Sequence, residues 1–176
     1  MGFRYFWGSI LANIYRFIRV FPNSDPIMGF VLPAAKNEAW WKAPLFAFAT
    51  MFTFDFFTSG IGSWTWVTAS TYALIALAFR FYFRERKAGL KVFMGAGAAG
   101  TLAFDFITGP VAISLLHGQQ FFLTLALQVP FTIMHLVSVS FSIIIITPFL
   151  DKEVAKEVSG AFAAAKNFIA SLRLNL

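Results

Sequence analysis

Phe54-Asp55-Phe56-Phe57-Thr58 returns fifty residues later as Phe104-Asp105-Phe106-Ile107-Thr108. Each copy closes an apolar run, Pro44 to Phe57 and Val92 to Ile107, and a glycine-containing breaker follows each, Ser59-Gly60 and Gly109-Pro110. An ionised Asp inside a bilayer is costly unless it is paired or reaches water. In the last turn of a helix the macrodipole adds a penalty of roughly 0.3–1 kcal/mol. Each Asp is therefore expected to have a partner, either a cation or the free N–H groups that open the next helix. The repeat distance equals about two crossings with their loops at ~20 residues per span. It predicts a directly repeated helix pair with both Asp on one side.

The composition around the repeat agrees. Of 176 residues, 59% are hydrophobic and 19% aromatic, with 24 Phe, and the mean hydropathy is +0.72. Only 12% are charged, about half the share of a soluble domain. The charges cluster and leave apolar runs at 44–57, 64–79, 92–104 and 121–149. This pattern predicts an all-α integral membrane protein, since barrel strands would alternate over ~10-residue segments. With no Cys, disulfides and thiolate metal sites are excluded, and His117 and His135 are too few for a haem-bearing bundle. A net charge of +6 fits contact with anionic lipid, and no nucleic-acid motif gives it another meaning.

Outward from the repeat, three regions follow: an amphipathic interfacial helix at 1–21, a six-helix transmembrane domain at 22–150, and an amphipathic C-terminal helix at 151–176. In the first, Phe3, Phe6, Trp7, Ile10, Leu11, Ile14, Phe17, Ile18 and Phe21 share one helical face. Arg4, Ser9, Asn13, Arg16 and Arg19 share the other, a pattern that lies in the membrane interface. The segment lacks a small-residue cleavage site and is not expected to be a removable signal peptide. Pro22 to Pro26 stops this helix, and Asp25 or Ser24 can cap the next. The expected spans are a short one at 26–40 interrupted by Pro33, then 44–57, 64–83, 92–107, a segment from 110 to 129, and 130–149, with Pro130 as divider. Gly95, Gly97 and Gly100 mark a helix pressed tightly against a neighbour, and Ala69, Ala73 and Ala76 give the third span a similar face. In the last region Val154, Val158, Phe162, Ala165, Ile169 and Leu172 share one face.

Short spans, the Asn23-Ser24-Asp25-Pro26 approach, the Asp closing the second span and the Gly/Ala-rich fourth span resemble the S components of energy-coupling-factor (ECF) transporters. The resemblance runs loosely over residues 22–150. It implies a substrate-binding membrane subunit that captures a vitamin-like small molecule in its outward half. The implied partners are an ECF coupling protein and cytoplasmic ATPases, which tilt the subunit to release its ligand. On this pattern the substrate-binding residues would be Lys36, Asn37, Trp40, Trp41, Gln128, Thr132 and His135. The glycine-rich run of biotin binders and the first-span Ala-x-x-x-Ala docking motif are absent. Six crossings would place both termini and both Asp on one side, opposite the loops Lys36–Lys42 and Arg80–Lys91. Seven Lys and Arg then fall on each side, so the positive-inside rule is balanced and the resemblance assigns the termini to the cytoplasm.

Each candidate also has a plainer reading. Asp55 and Asp105 are either helix-end anchors or partner and gating contacts. His135 is either bonded to a neighbouring helix or a substrate donor near Gln128 and Thr132. Trp40 and Trp41 anchor an interface or stack a flat ligand. The cluster Arg80–Lys91 meets lipid headgroups or attracts an anion. One His and two distant Asp do not make a metal site. No nucleophile–base pair or phosphate-cradling loop supports an enzyme, and no cofactor is implied. The alternative function is a non-transporting structural or accessory membrane subunit. A binder needs a concave pocket with a few convergent polar groups, whereas an assembly subunit should be filled there by side chains.

Overall fold

A computed structural model describes the backbone of residues 3–18 and 24–174, and the side chains of 4–18 and 24–167. Among these residues the structure is helical throughout. The elements are α1 (Phe3–Ile18), α2 (Ile27–Asn37), α3 (Lys42–Thr58), α4 (Ser63–Phe83), α5 (Leu90–Phe106), a π-helical turn (Ile107–Val111), α6 (Ala112–His117), α7 (Phe121–Ile146), a 3₁₀ turn (Thr147–Phe149) and α8 (Lys152–Leu174). Three stretches are long and apolar enough to cross a membrane: Ser63–Phe83, Leu90–His117 and Phe121–Phe149.

The short helix α2 lies at the centre. Every residue from Ile27 to Ala35 is buried, in contact with α1, α3, α4, α5 and α7. A helix apolar on all sides belongs inside others. At 1.5 Å per residue its eleven residues reach only about 16 Å, half a hydrocarbon thickness. It starts at Asp25, whose Oδ1 accepts the Ile27 N–H at 2.7 Å. Pro33 sits inside it and has no N–H for the Gly29 carbonyl one turn back. The Thr147 hydroxyl donates to that carbonyl instead, at 3.3 Å.

Small residues let the other helices close around α2. A Cβ at Gly97 would meet Ile143, Val139 and Leu32, and one at Gly100 would meet Phe79 and Met28. Gly95 faces open space, so the expected tight face of this helix is narrower than three glycines. Ala69 and Ala76 are fully buried, with Ala73 partly so.

Two expected helix boundaries are corrected. Gly109-Pro110 does not end α5. The chain widens into a π-helical turn, in which the Ala112 N–H reaches the Ile107 carbonyl, and continues to His117. The break falls at Gly118, whose φ of 64° is the left-handed conformation that glycine tolerates. Pro130 does not divide a fifth span from a sixth, because α7 runs through it from Phe121 to Ile146. Residues 90–149 therefore form two long helices where three spans were expected.

That change moves the C-terminal region. Lys36 Nζ donates to Asp151 at 2.8 Å, Glu153 at 2.7 Å and the Ala88 carbonyl at 2.9 Å, and the Leu90 N–H donates to Glu157 at 2.7 Å. The start of α8 thus shares an end of the bundle with the connections 38–41 and 84–89. A six-crossing topology would put it opposite them.

Helix α1 runs alongside α3 in constant register. Tyr5 meets Phe46, Ser9 Oγ lies 2.9 Å from Thr50 Oγ1, and Asn13 donates to Thr53 at 3.4 Å. Arg16 donates to Met51 Sδ at 3.1 Å and lies 4.0 Å over the Phe54 ring. Its polar stripe therefore packs inward, while Phe6, Trp7, Leu11, Ile14, Phe17 and Ile18 are exposed. The expected amphipathic pattern is present, with α3 rather than water against most of its polar side. Arg19 and Phe21 of that pattern, and the helix stop at Pro22-Asn23, lie outside the described residues, as do the side chains of Ile169 and Leu172.

Candidate functional site

Where α2 begins, four ionisable side chains from four parts of the chain meet. Asp25 arrives on the turn before α2, Tyr72 from the middle of α4, Asp105 from the last turn of α5 and His135 from the middle of α7. All are buried: Asp25 and His135 are 6% exposed, Asp105 4% and Tyr72 1%. His135 Nδ1 lies 2.8 Å from Asp105 Oδ1, and His135 Nε2 lies 3.1 Å from Asp25 Oδ2. The Tyr72 hydroxyl donates to the same Asp25 Oδ2, and the Asp25 N–H donates to Ser138 Oγ at 2.7 Å.

The imidazole therefore has a carboxylate at each ring nitrogen. A carboxylate only accepts, so both bonds form with an imidazolium between two anions, or with neutral imidazole and one protonated Asp. Either way two protons are held along the line Asp25–His135–Asp105. Buried charges persist only when paired, and here each is. One acceptor is left over: Asp105 Oδ2 is buried with no hydrogen-bond partner.

A cavity of about 350 Å³ opens against this line, a size typical of small-molecule sites. Asp25, Tyr72, Asp105 and His135 line one part of it, with Arg16 from α1. Trp64, Thr68, Phe104, Ile113, Gln128 and Phe131 line the rest, extending toward the connections 59–62 and 118–120. The Tyr72 and Phe104 rings are 5.1 Å apart, and Phe104 stands edge-on to His135 at 5.9 Å. The π-helical turn brings Gly109 against Gln128 so closely that a Cβ would sit 2.5 Å from Oε1. Such turns recur at functional sites because they re-aim a helix face.

The residues named from sequence divide between two places. His135 and Gln128 line the cavity; Thr132 lies one turn from each, on a neighbouring apolar groove shared with Asp105 and Gln128. Lys36 and Asn37 sit at the opposite end of α2, where Asn37 donates to Asp151 at 2.9 Å and Lys36 is held by three oxygens. Trp40 and Trp41 are exposed beside them, Trp40 at 64%. The two groups do not form one site.

The repeated Asp residues also separate. Asp105 belongs to the buried line, with twelve helical residues still to follow before Gly118. Asp55 is only half-buried, and its backbone carbonyl closes the end of α3 by accepting the Ser59 and Gly60 N–H groups. Asp25, read as a cap, does cap, and its second oxygen serves the cluster. Tyr72 and Arg16 escaped sequence reasoning. A tyrosine in an apolar run and an arginine on a polar stripe carry no local sign of a partner.

Among the described residues no group of His, Cys, Asp and Glu converges as metal ligands. The opposed ring nitrogens of His135 hold the two carboxylates apart. Comparison of the chain with family models, with curated proteins and with solved structures finds no match.

Proposed function

We propose that this chain is the substrate-binding membrane subunit of an importer, taking up a small polar molecule from the outer face into the cavity above Asp25. The observation that carries the reading is the cavity itself, roomy, walled by aromatic rings and floored by convergent polar groups. A buried ionisable cluster beside an open space favours a binding role over assembly alone.

Charge supports the orientation. Every Lys and Arg between residues 36 and 156 falls in 36–42, 80–91 or 152–156, the segments gathered at one end of the bundle. The connections 59–62 and 118–120 at the other end have none. The positive-inside rule then places the basic end in the cytoplasm and the cavity outside. In this arrangement α3, α4, α5–α6 and α7 cross the bilayer. Helix α2 reaches from the cytoplasmic end to about mid-depth, with α1 packed beside it and α3. The exposed apolar face of α1 meets lipid. Partner ATPases with a coupling protein, as in the ECF arrangement, would supply the energy for release at the basic end.

The test is mass spectrometry of small molecules retained by the detergent-purified chain. One compound enriched near equimolar ratio, whose re-addition raises the melting temperature, is expected. A preparation with no retained compound, and no stabilisation by pooled cell metabolites, would leave the accessory-subunit reading in its place.

A further inference from the structure

We propose that the cavity is a site for a small organic cation, an ammonium, amidinium or protonated amino-heterocycle, and that the cation enters in exchange for one proton. The inference rests on the binding reading above and names the ligand class for it.

Two independent observations select a cation. The first is Asp105, which lines the cavity and whose Oδ2, an acceptor-only atom beneath that wall, is buried and unpartnered. Leaving such an atom unpaired costs free energy that a ligand N–H recovers. The second is the wall chemistry. Trp64, Tyr72, Phe104 and Phe131 surround the same space, and aromatic faces attract cations within about 6 Å of their centroids.

Charge balance supplies the exchange. The ionisable groups facing His135 are Asp25 ahead of α2, Tyr72 on α4 and Asp105 on α5, with Arg16 of α1 on the same cavity wall. Helix α3 presents Met51, which is uncharged. Arg16 is tied to α3 through Met51 and Phe54 and stays as a fixed positive charge. With His135 doubly protonated, Asp25 and Asp105 are balanced by His135 and Arg16, and the empty site is neutral. An arriving cation would leave a net positive charge in a confined, low-dielectric space. Loss of the Nδ1 proton of His135 to cavity water restores neutrality. Only that N–H bond breaks. Asp105, released from Nδ1, offers both oxygens to the ligand, while Nε2–H stays on Asp25.

Isothermal titration calorimetry on the full chain in lipid nanodiscs tests this. The probes are benzamidinium, guanidinium and tetramethylammonium, with neutral benzamide as the isosteric control. Each is run in two buffers of different ionisation enthalpy to count protons. At least one cation should bind about tenfold or more tighter than benzamide, releasing close to one proton per ligand in mildly acidic buffer. Asp105→Asn, which keeps an acceptor for His135, should lose about tenfold of the cation affinity and less of benzamide's, narrowing the gap between them. Equal binding of benzamide, binding without proton release, or no binding of any cation overturns the inference. A chain that retains a neutral compound but binds none of the cations loses this inference and keeps the binding reading. A chain that retains nothing and binds nothing loses both.

Discussion

His135 shows how much one residue depends on what meets it. Alone on an apolar helix it is a polar side chain with no visible partner; between Asp25 and Asp105 it becomes the centre of a proton-holding line. Tyr72 supports that line from outside by donating to Asp25. Tyr72→Phe removes a hydrogen bond to a charged acceptor and should lower stability by roughly 1.5–3 kcal/mol, measured by unfolding in mixed micelles. A loss below about 0.5 kcal/mol, the range of an ordinary surface change, would mean the hydroxyl is not bonded there. The repeated Asp residues offer a paired comparison. Asp55→Asn should change stability by no more than about 0.5 kcal/mol, because its side chain is half-buried at a helix end. Asp105→Asn should cost roughly 1.5–3 kcal/mol, because it weakens a charged bond to His135 inside the bundle. Equal effects would contradict the separation of the two sites.

At the scale of the element, α2 decides where the cavity can be. It fills the basic half of the bundle, so the space beyond its first residue is left open as the cavity. Its integrity rests on a repair: Thr147 supplies the donor that Pro33 cannot. Thr147→Val keeps shape and removes that donor, leaving a buried carbonyl unpaired, and should cost about 1–3 kcal/mol in the same unfolding assay. No measurable loss would show that another group satisfies Gly29. The far end of α2 is held by Asp151, which also accepts the Glu153 and Val154 N–H groups that open α8. Burial opposes the Asp151 charge, but Lys36, Asn37 and the Val154 N–H outweigh it and hold the carboxyl below the usual carboxylate range. A carboxyl with a depressed folded value stabilises the fold above its unfolded value of about 3.9, and that stabilisation is lost as pH falls through the folded value. Unfolding curves of wild type and Asp151→Asn should therefore differ at neutral pH and converge below about pH 4. A gap that persists in acid would assign the difference to packing.

At the scale of the whole molecule, polarity is arranged inside out. Phe106, Leu115, Phe122, Phe131, Val137, Phe141 and Ile145 are exposed, while Asp25, Thr50, Thr101, Asp105 and His135 are buried. Such a surface suits a lipid solvent, in which polar groups must be satisfied internally. The absence of Cys in the sequence makes the proposed sidedness testable with single introduced cysteines. Residues 61 and 119 should react with a membrane-impermeant maleimide from outside intact cells, and residue 86 only after permeabilisation. Reaction of 86 from outside, with 61 and 119 reached only after permeabilisation, would invert the orientation and close the cavity to external ligand.

Composition and periodicity alone determined an all-helical chain with helices long and apolar enough to cross a membrane, because hydropathy and period are local properties that neighbours along the chain share. The close-packed glycines at 97 and 100 and the capping role of Asp25 were legible for the same reason. The site was not. Asp25 and His135 are separated by 110 residues and Asp105 and His135 by 30, and nothing local distinguishes Asp105 from Asp55 in their matching pentapeptides. The two prolines misled in the same way. Gly109-Pro110 and Pro130 look like helix ends, yet neighbouring helices and a π-helical turn keep the backbone satisfied through them. Packing alone decided which Asp is buried, which end of α2 faces the cavity, and that the basic loops and α8 share one end. Each depends on contacts between helices distant in sequence.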